Sequence, residues 1–253
     1  MNRIALVTGA SAGIGRATAL LLAKHDFDII TTGRRMENLK SLENEIRAES
    51  GADVLSLAFD VRNQDEVINA CASLSGKWEK VDVLVNNAGL SVGLNHIHEG
   101  VVDDWERMID TNIKGLLYIT RHISPGMVER RSGHIINLGS VAGKEVYEKG
   151  NVYNATKFAV DGLTRAMRID LVNFGIKVTS IDPGAVNTEF SMVRFKGNTE
   201  KADAVYDGFT PLYADDIADA ILWVVTRPPH VNINDMLIMP TAQAAVGKLV
   251  RKS

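Results

Sequence analysis

Short runs rich in Val, Ile and Leu recur along this chain and alternate with helical patterns. The runs are RIALVT (3–8), DIITTG (28–33), DVLSLAF (53–59), DVLVNNA (82–88), HIINLGS (134–140), KVTSID (177–182) and DMLIMP (235–240). They are continuously apolar and do not alternate apolar with polar, as expected of strands covered on both faces. Between them, apolar residues return at helical spacing. Ile14, Ala17, Leu21 and Leu22 fall on one face of 13–24, and 36–50, 63–74, 103–121 and 151–174 are further helical patterns. Strand–helix–strand repetition implies a parallel sheet with right-handed crossovers. The expected fold is α/β: one doubly wound domain over 1–253, with a seven-stranded parallel sheet and helices on both faces. No repeat, linker or low-complexity tract interrupts it.

The first strand runs into a glycine-rich turn, GASAGIG, and then a helix. Gly9 suits a tight turn. Gly13 and Gly15 would let phosphates approach the N–H groups that open the helix. Ser11 and Ile14, between these glycines, are expected to touch the same ligand. The spacing departs from the usual dinucleotide fingerprint, yet strand, turn and helix stand in the order of a Rossmann fold. The alternative is an ordinary tight turn. After the second strand comes TTGRR. An acid at that point would hold the ribose 2′-hydroxyl of NAD. Arg34 and Arg35 instead offer planar forks of donors that match a 2′-phosphate, which argues for NADP. Otherwise both face solvent. Asp60 and Val61, after the third strand, sit where adenine would rest, and a carboxylate there can accept from the adenine amine.

Several classes are disfavoured. A net charge of −3 gives no sign of a nucleic-acid partner. Cys71 is the sole cysteine, so no intramolecular disulfide forms, which suits a reducing compartment. The strand pattern starts at once, leaving no room for a signal peptide, and no apolar run is long enough to span a membrane. A soluble, cytoplasmic chain is expected. His96 and His98 stand two apart with no third ligand in view, so no metal is expected. Residues 188–213 are polar and mixed, bounded by Pro183-Gly184 and Pro211; they form either a lid or binding loop, or a solvated insertion.

Gly9–Gly15, NNAG (86–89), Asn112, Ser140, Tyr153-x-x-x-Lys157 and Pro183-Gly184 occur in one order that resembles the short-chain dehydrogenase/reductase pattern over nearly the whole chain. DWERMIDTNIKGLLYITR, PGMVERRSGHIIN, GNVYNATK, TEFSMVRFKG and HVNINDMLIMP resemble, more narrowly, bacterial NADP-dependent serine and 3-hydroxy acid dehydrogenases. That group includes L-allo-threonine dehydrogenases and 3-hydroxypropionate reductases, and sulfoacetaldehyde reductases are similar too. The resemblance implies an NADP-dependent oxidoreductase of a small 3-hydroxy acid or its carbonyl form, and a homotetramer. The other readings are a reductase of another small carbonyl, such as sulfoacetaldehyde, and a non-catalytic NADP-binding regulator. It also implies that Asn112 anchors a water in a proton relay with Lys157; a satisfied buried amide is the alternative.

The chemistry can be read from the residues as well. Tyr153 and Lys157 are four apart on a helical pattern and share a face. Alcohol oxidation needs a base for the hydroxyl proton, and a free tyrosine, with pKa about 10, is a poor one. Bringing it to about 7 takes roughly 4 kcal/mol. A desolvated Lys157 within about 4–6 Å, with the positive nicotinamide, would supply much of this. In reduction the same phenol is the acid. Lys157 would also hold the nicotinamide ribose. Ser140, ending a strand, can donate to the substrate oxygen as charge develops; a local cap is its other reading. Asn87, Ala88 and Gly89 permit close approach of the cofactor, while Asn86 braces neighbouring strands. Pro183, Gly184, Val186 and Thr188 suit the nicotinamide carboxamide and pyrophosphate. For the substrate acid group, Arg194 is a sensible clamp if it is not a solvated loop arginine.

Overall fold

The computed structural model describes residues 2–252. The apolar runs become strands, each within two residues of its expected bounds. In chain order the elements are β1 (Arg3–Val7), α1 (Gly13–Ala23), β2 (Phe27–Gly33), α2 (Met36–Ser50), β3 (Val54–Ala58) and α3 (Gln64–Ala72). Next come β4 (Val83–Asn86), α4 (Val102–Ile109), α5 (Leu116–Arg130), β5 (Gly133–Leu138), α6 (Asn151–Leu171) and β6 (Ile176–Pro183). The last part holds β7 (Val186–Asn187), α7 (Glu189–Arg194), α8 (Thr199–Ala204), β8 (Leu212–Tyr213), α9 (Ala214–Val225) and β9 (Asp235–Ile238).

Seven strands pair in the order β3-β2-β1-β4-β5-β6-β9, all parallel. Successive side chains point to opposite faces. Val83 and Val85 therefore join Leu22, Leu39 and Ile221 in one apolar layer, while Leu84 joins Val67, Ile119 and Val160 in the other. The order reverses between β1 and β4, which opens a crevice at the carboxyl ends of those strands. Polar side chains lock the centre: Asn86 Nδ2 donates to Asn137 Oδ1 across β4 and β5 at 2.9 Å and to Thr120 Oγ1 at 2.9 Å. Asn137 Nδ2 in turn donates to Thr164 Oγ1 of α6 at 2.9 Å.

The helix expected over 103–121 differs from what folds. Val102 opens α4, and a π-helical turn over Asp110–Gly115 joins it to α5, which continues to Arg130. The wider turn brings Thr111 and Asn112 inside, and Gly115 permits it, since a Cβ there would stand 2.8 Å from Val61 Cγ2. Pro125 does not end α5, because it lies on an exposed stretch where the lost backbone bond is open to water.

His134 on β5 is 1% exposed, and its Nε2 lies 2.9 Å from Thr179 Oγ1. Burial first, then the charges of Lys177 and Arg3, hold its pKa down to about 3. The unfolded chain, with an ordinary value near 6.5, binds the proton first, so stability is greatest above that pH and falls through the interval toward 3. Each pH unit within it costs about 1.4 kcal/mol. His134→Gln is expected to flatten this slope; urea midpoints of both proteins at pH 7 and pH 5 measure it, and parallel losses would exclude His134 as the cause.

Candidate active site

The turn after β1 is left-handed at Gly9 (φ 65°) and Gly13 (φ 52°). Asn87 Nδ2 donates to the Thr8 and Gly9 carbonyls at 2.8 and 3.3 Å, and Thr8 Oγ1 accepts from the Asn87 and Ala88 amides. The turn is thus stitched to the end of β4. At the opening of α1, Ala12 provides no side-chain cap and the first turn holds no acid. Its N–H groups are left for an anion. Gly9, Ser11, Gly13 and Ile14 line the crevice. Gly15 does not: a Cβ there would collide with the Gly9 carbonyl and Asn87 Nδ2, so its bareness serves turn–helix packing and not the expected phosphate approach.

Arg34, Arg35, Asp60 and Val61 line the same crevice. Arg35 Nη2 donates to Ser11 Oγ at 3.3 Å and to Glu189 Oε2 at 3.0 Å, so it is not purely solvated. Asp60 is already engaged. Its carboxylate accepts from the Arg62 Nε and Nη2 at 3.0 and 2.6 Å. Burial pushes its pKa up, but the Arg62 bonds and the nearby Arg34 charge bring it below the ordinary carboxylate range. An adenine amine would share this carboxylate with Arg62. An uncapped helix start, a bare turn and two arginines at one end make a donor-rich surface suited to a phosphorylated dinucleotide.

At the other end stand Ser140, Tyr153 and Lys157, lining the crevice together with Ala88, Gly89, Pro183, Gly184, Val186 and Thr188. Ser140 lies two residues beyond β5. Its Oγ accepts from the Ala142 amide at 3.1 Å, so it caps the short turn that follows, and it stands near enough to the Tyr153 phenol to favour the charged form. Gly139 before it has no room for a side chain, because a Cβ would collide with the buried Asp182 carboxylate. Tyr153 is 7% exposed, and burial pushes its phenol up to about 12, against the pull of the Arg194 charge. Burial lowers Lys157 to about 8, with the Asp182 carboxylate opposing.

Lys157 stands beside the Tyr153 ring with its ammonium turned toward the end of β5. Its Nζ donates to the Leu138 carbonyl at 2.7 Å and lies 6.0 Å from the Tyr153 ring centroid. The cation that most lowers the phenol is Arg194, whose guanidinium carbon is 5.3 Å from that ring. Asn112 Nδ2 donates to the Leu90 carbonyl at 2.9 Å and Thr156 Oγ1 at 3.0 Å, while Oδ1 accepts from the Leu90 amide at 2.8 Å. Both amide protons are therefore used, and only an acceptor position remains for a water. Asn112 Oδ1 and Lys157 Nζ flank the space beside Gly89, 3.3 and 3.8 Å from where its Cβ would be.

Residues 188–213 divide: the α7 part packs on the site, while 196–210 are mostly exposed. Thr188 caps α7, its Oγ1 accepting from the Phe190 amide at 3.3 Å. The Phe190 ring stands 5.6 Å from that of Tyr153, so α7 covers the catalytic end. Sequence reasoning overlooked Arg62, Thr111, Phe190 and Val193, all of which line the crevice. No motif marks them; only the helical spacing of Glu189, Phe190 and Val193 within the loop carried a signal. Among the described residues no cluster of His, Cys, Asp or Glu suits a metal, and no helix is long and apolar enough to cross a membrane.

A short chain dehydrogenase family profile matches residues 3–199. An NADP-dependent 3-hydroxy acid dehydrogenase, YdfG, of Salmonella typhi is 49% identical over 251 residues, covering 99% of this chain and 100% of that protein. A serine 3-dehydrogenase of Rhizobium radiobacter is 42% identical over 247 residues, covering 98% of this chain and 97% of its own. Among solved structures, a closed form of serine dehydrogenase complexed with NADP+ superposes with a TM-score of 0.92 at 45% identity, over 99% of this chain and 100% of the other.

Proposed function

The chain belongs to the short chain dehydrogenase family, and from that premise we propose that it is an NADP-dependent oxidoreductase interconverting a small 3-hydroxy acid and its carbonyl form. The observation that carries this reading is the convergence of Ser140, Tyr153 and Lys157 in the crevice that Arg34 and Arg35 line at its far end. NADP, when bound, supplies or accepts the hydride.

The protein's own residues handle the proton and the developing charge. With its pKa near 12, Tyr153 is protonated at neutral pH and ready to donate to a carbonyl oxygen. Ser140 donates a second hydrogen bond to that oxygen as charge grows on it. Lys157, held by the Leu138 carbonyl, keeps an ammonium at the nicotinamide-ribose side and helps return a proton to the phenol. Asn112 fixes the Leu90 backbone and offers Oδ1 to a water bridging toward Lys157. At the cofactor end, the glycine turn takes the pyrophosphate, with Ser11, Ile14, Asn87, Ala88 and Thr188 around it. Arg34 and Arg35 take the 2′-phosphate, and Asp60 with Val61 borders the adenine. Pro183, Gly184 and Val186 border the carboxamide.

The proposal includes a cytoplasmic homotetramer. A free Cys71, its thiol pushed up to about 11 by burial, suits a reducing compartment, and the exposed Val102, Ile109 and Leu117 along α4 and α5 suit subunit contacts. Light scattering at micromolar concentration measures the assembly.

The test of activity is NADP with L-serine, L-allo-threonine, 3-hydroxypropionate and 2-hydroxyethanesulfonate, followed at 340 nm. Turnover of at least one carboxylate substrate, with NADP preferred over NAD, is expected. Exclusive turnover of the sulfonate would point to the sulfoacetaldehyde class. Silence across a broad alcohol and carbonyl panel would favour a non-catalytic regulator.

A further inference from the structure

Asp182, near the end of β6, is a carboxylate buried behind the loop that carries Ser140; it is 1% exposed. Its Oδ1 accepts from Ser180 Oγ at 2.8 Å and lies against Gly139, which is why no Cβ fits there. Gly139 joins Leu138 to Ser140. The Leu138 carbonyl holds the Lys157 ammonium at 2.7 Å, and the Gly139 amide donates to the Ile181 carbonyl at 2.8 Å. The Asp182 charge is thus built against the peptide between the anchor of Lys157 and Ser140.

A carboxylate so placed needs a cation. Lys144 supplies it from the same loop. The single turn Val141–Gly143, capped by Ser140, ends at Lys144, whose Nζ reaches back to 3.3 Å from Asp182 Oδ2. That ammonium also pairs with Asp161 of α6, one helical turn beyond Lys157, and stands 3.5 Å from Asp235 of β9. Asp161 has a second partner in Arg165 at 2.9 Å, and Asp235 has Arg168 at 3.9 Å. Among the described residues, Lys144 is the one cation within ion-pair distance of Asp182. Burial raises the Asp182 carboxyl, with Asp235 adding to the effect, while Ser180 and Lys144 pull it back.

On its inner side Asp182 acts on Lys157. Burial disfavours that ammonium, and Asp182 is the charge that opposes the loss. The other titratable group beside Lys157 is Tyr153, a neutral phenol at pH 7 whose ring centroid is 6.0 Å away. A pair this buried adds little net stability, since desolvation offsets attraction. Stability alone therefore does not account for a charge set against the loop of the reacting groups.

We propose that Asp182 and Lys144 are positioning residues: the Asp182 carboxylate, kept ionised by Lys144, keeps Lys157 an ammonium at its anchor, and Lys144 ties the Ser140 loop to β6 and α6. This deepens the oxidoreductase reading above and rests on it. Neither residue lines the crevice, so both act through Lys157 and the loop.

The test reads the Lys157 ammonium through the pH dependence of NADPH binding, followed by tryptophan fluorescence, with the kcat/KM profile for carbonyl reduction alongside. Affinity should weaken as Lys157, near 8, loses its proton, and Lys157→Met should lack that alkaline limb. Asp182→Asn keeps the size and removes the charge; it should move the limb down by about one pH unit. Lys144→Met should move it the same way, because a buried carboxylate left unpaired takes up a proton. Lys144→Arg should keep the limb in place. Turnover, where present, should follow the same shifts. An unmoved limb in folded Asp182→Asn, a limb that persists in Lys157→Met, or an upward shift in Lys144→Met would overturn the proposal; lower activity at every pH alone would be lost packing. If Asp182→Asn does not fold, Lys144→Met decides, since that side chain is 22% exposed, and an unmoved limb there counts against the pair. Absent turnover with an intact NADPH limb counts against the oxidoreductase reading, and the binding shifts still decide the role of Asp182.

Discussion

Tyr153→Phe is expected to lower kcat by about 10³-fold or more while leaving NADP binding nearly unchanged. The substitution removes one oxygen and keeps the ring. The contacts of that ring with Phe190, 5.6 Å between centroids, and with the Arg194 guanidinium, 5.3 Å away, survive, so the lid and the fold should persist. What is lost is the phenolic proton that lines the crevice beside Ser140. Ser140 alone cannot replace it, since an aliphatic hydroxyl has no acidity near neutral pH. The measurement pairs steady-state turnover with quenching of tryptophan fluorescence by NADPH, and a melting curve checks that the variant is folded. A folded variant that retains turnover would remove Tyr153 from proton transfer and leave the crevice as a nucleotide site without this chemistry.

The paired change Arg34→Ala with Arg35→Ala should weaken NADP by about 10²-fold while altering NAD by only a few fold. A hydrogen bond to a charged group contributes about 1.5–3 kcal/mol, so two such contacts reach higher factors if fully buried. The Arg35 side chain is 49% exposed, and screening by water places the expectation at the lower end. Removing Arg35 also strips Glu189 of its partner and leaves that carboxylate facing the phosphate, which adds repulsion in the double variant. Dissociation constants for both dinucleotides at low and high salt are the test. The wild-type preference for NADP should shrink as salt rises, and the variant should show little such dependence. Equal weakening of the two dinucleotides would mean that the arginines never read the extra phosphate.

The order of strands, the glycine turn and the line-up of Ser140, Tyr153 and Lys157 are legible in the sequence because each rests on local spacing. A continuous apolar run specifies a buried strand wherever it pairs, and two residues four apart on a helix face one way regardless of context. What escapes such reading depends on contacts between distant segments. Lys157 turns its ammonium to the carbonyl of Leu138, nineteen positions away by residue number, a choice that no helical pattern encodes. Asp60 looks free until Arg62 folds back on it. Gly15 has the spacing of a phosphate contact, but its reason lies in Asn87, from the far side of β4. Residues 188–213 give two readings in the sequence because α7 gains its meaning only where Phe190 rests on Tyr153.

The π turn over Asp110–Gly115 sets α4 and α5 out of phase. One residue beyond the regular count rotates everything downstream by about 100°. Met108 on one side and Ile119, Ile123 and Met127 on the other therefore meet different neighbours than a continuous helix would offer. Such an offset is written in the number of residues and not in any single side chain. Exchanges at an exposed position such as Lys114 leave it in place, a side chain at Gly115 would press on Val61, and deleting one residue in the segment would re-index the whole of α5 and carry Asn112 away from Leu90. This stretch should tolerate spelling changes at its exposed positions and no shortening.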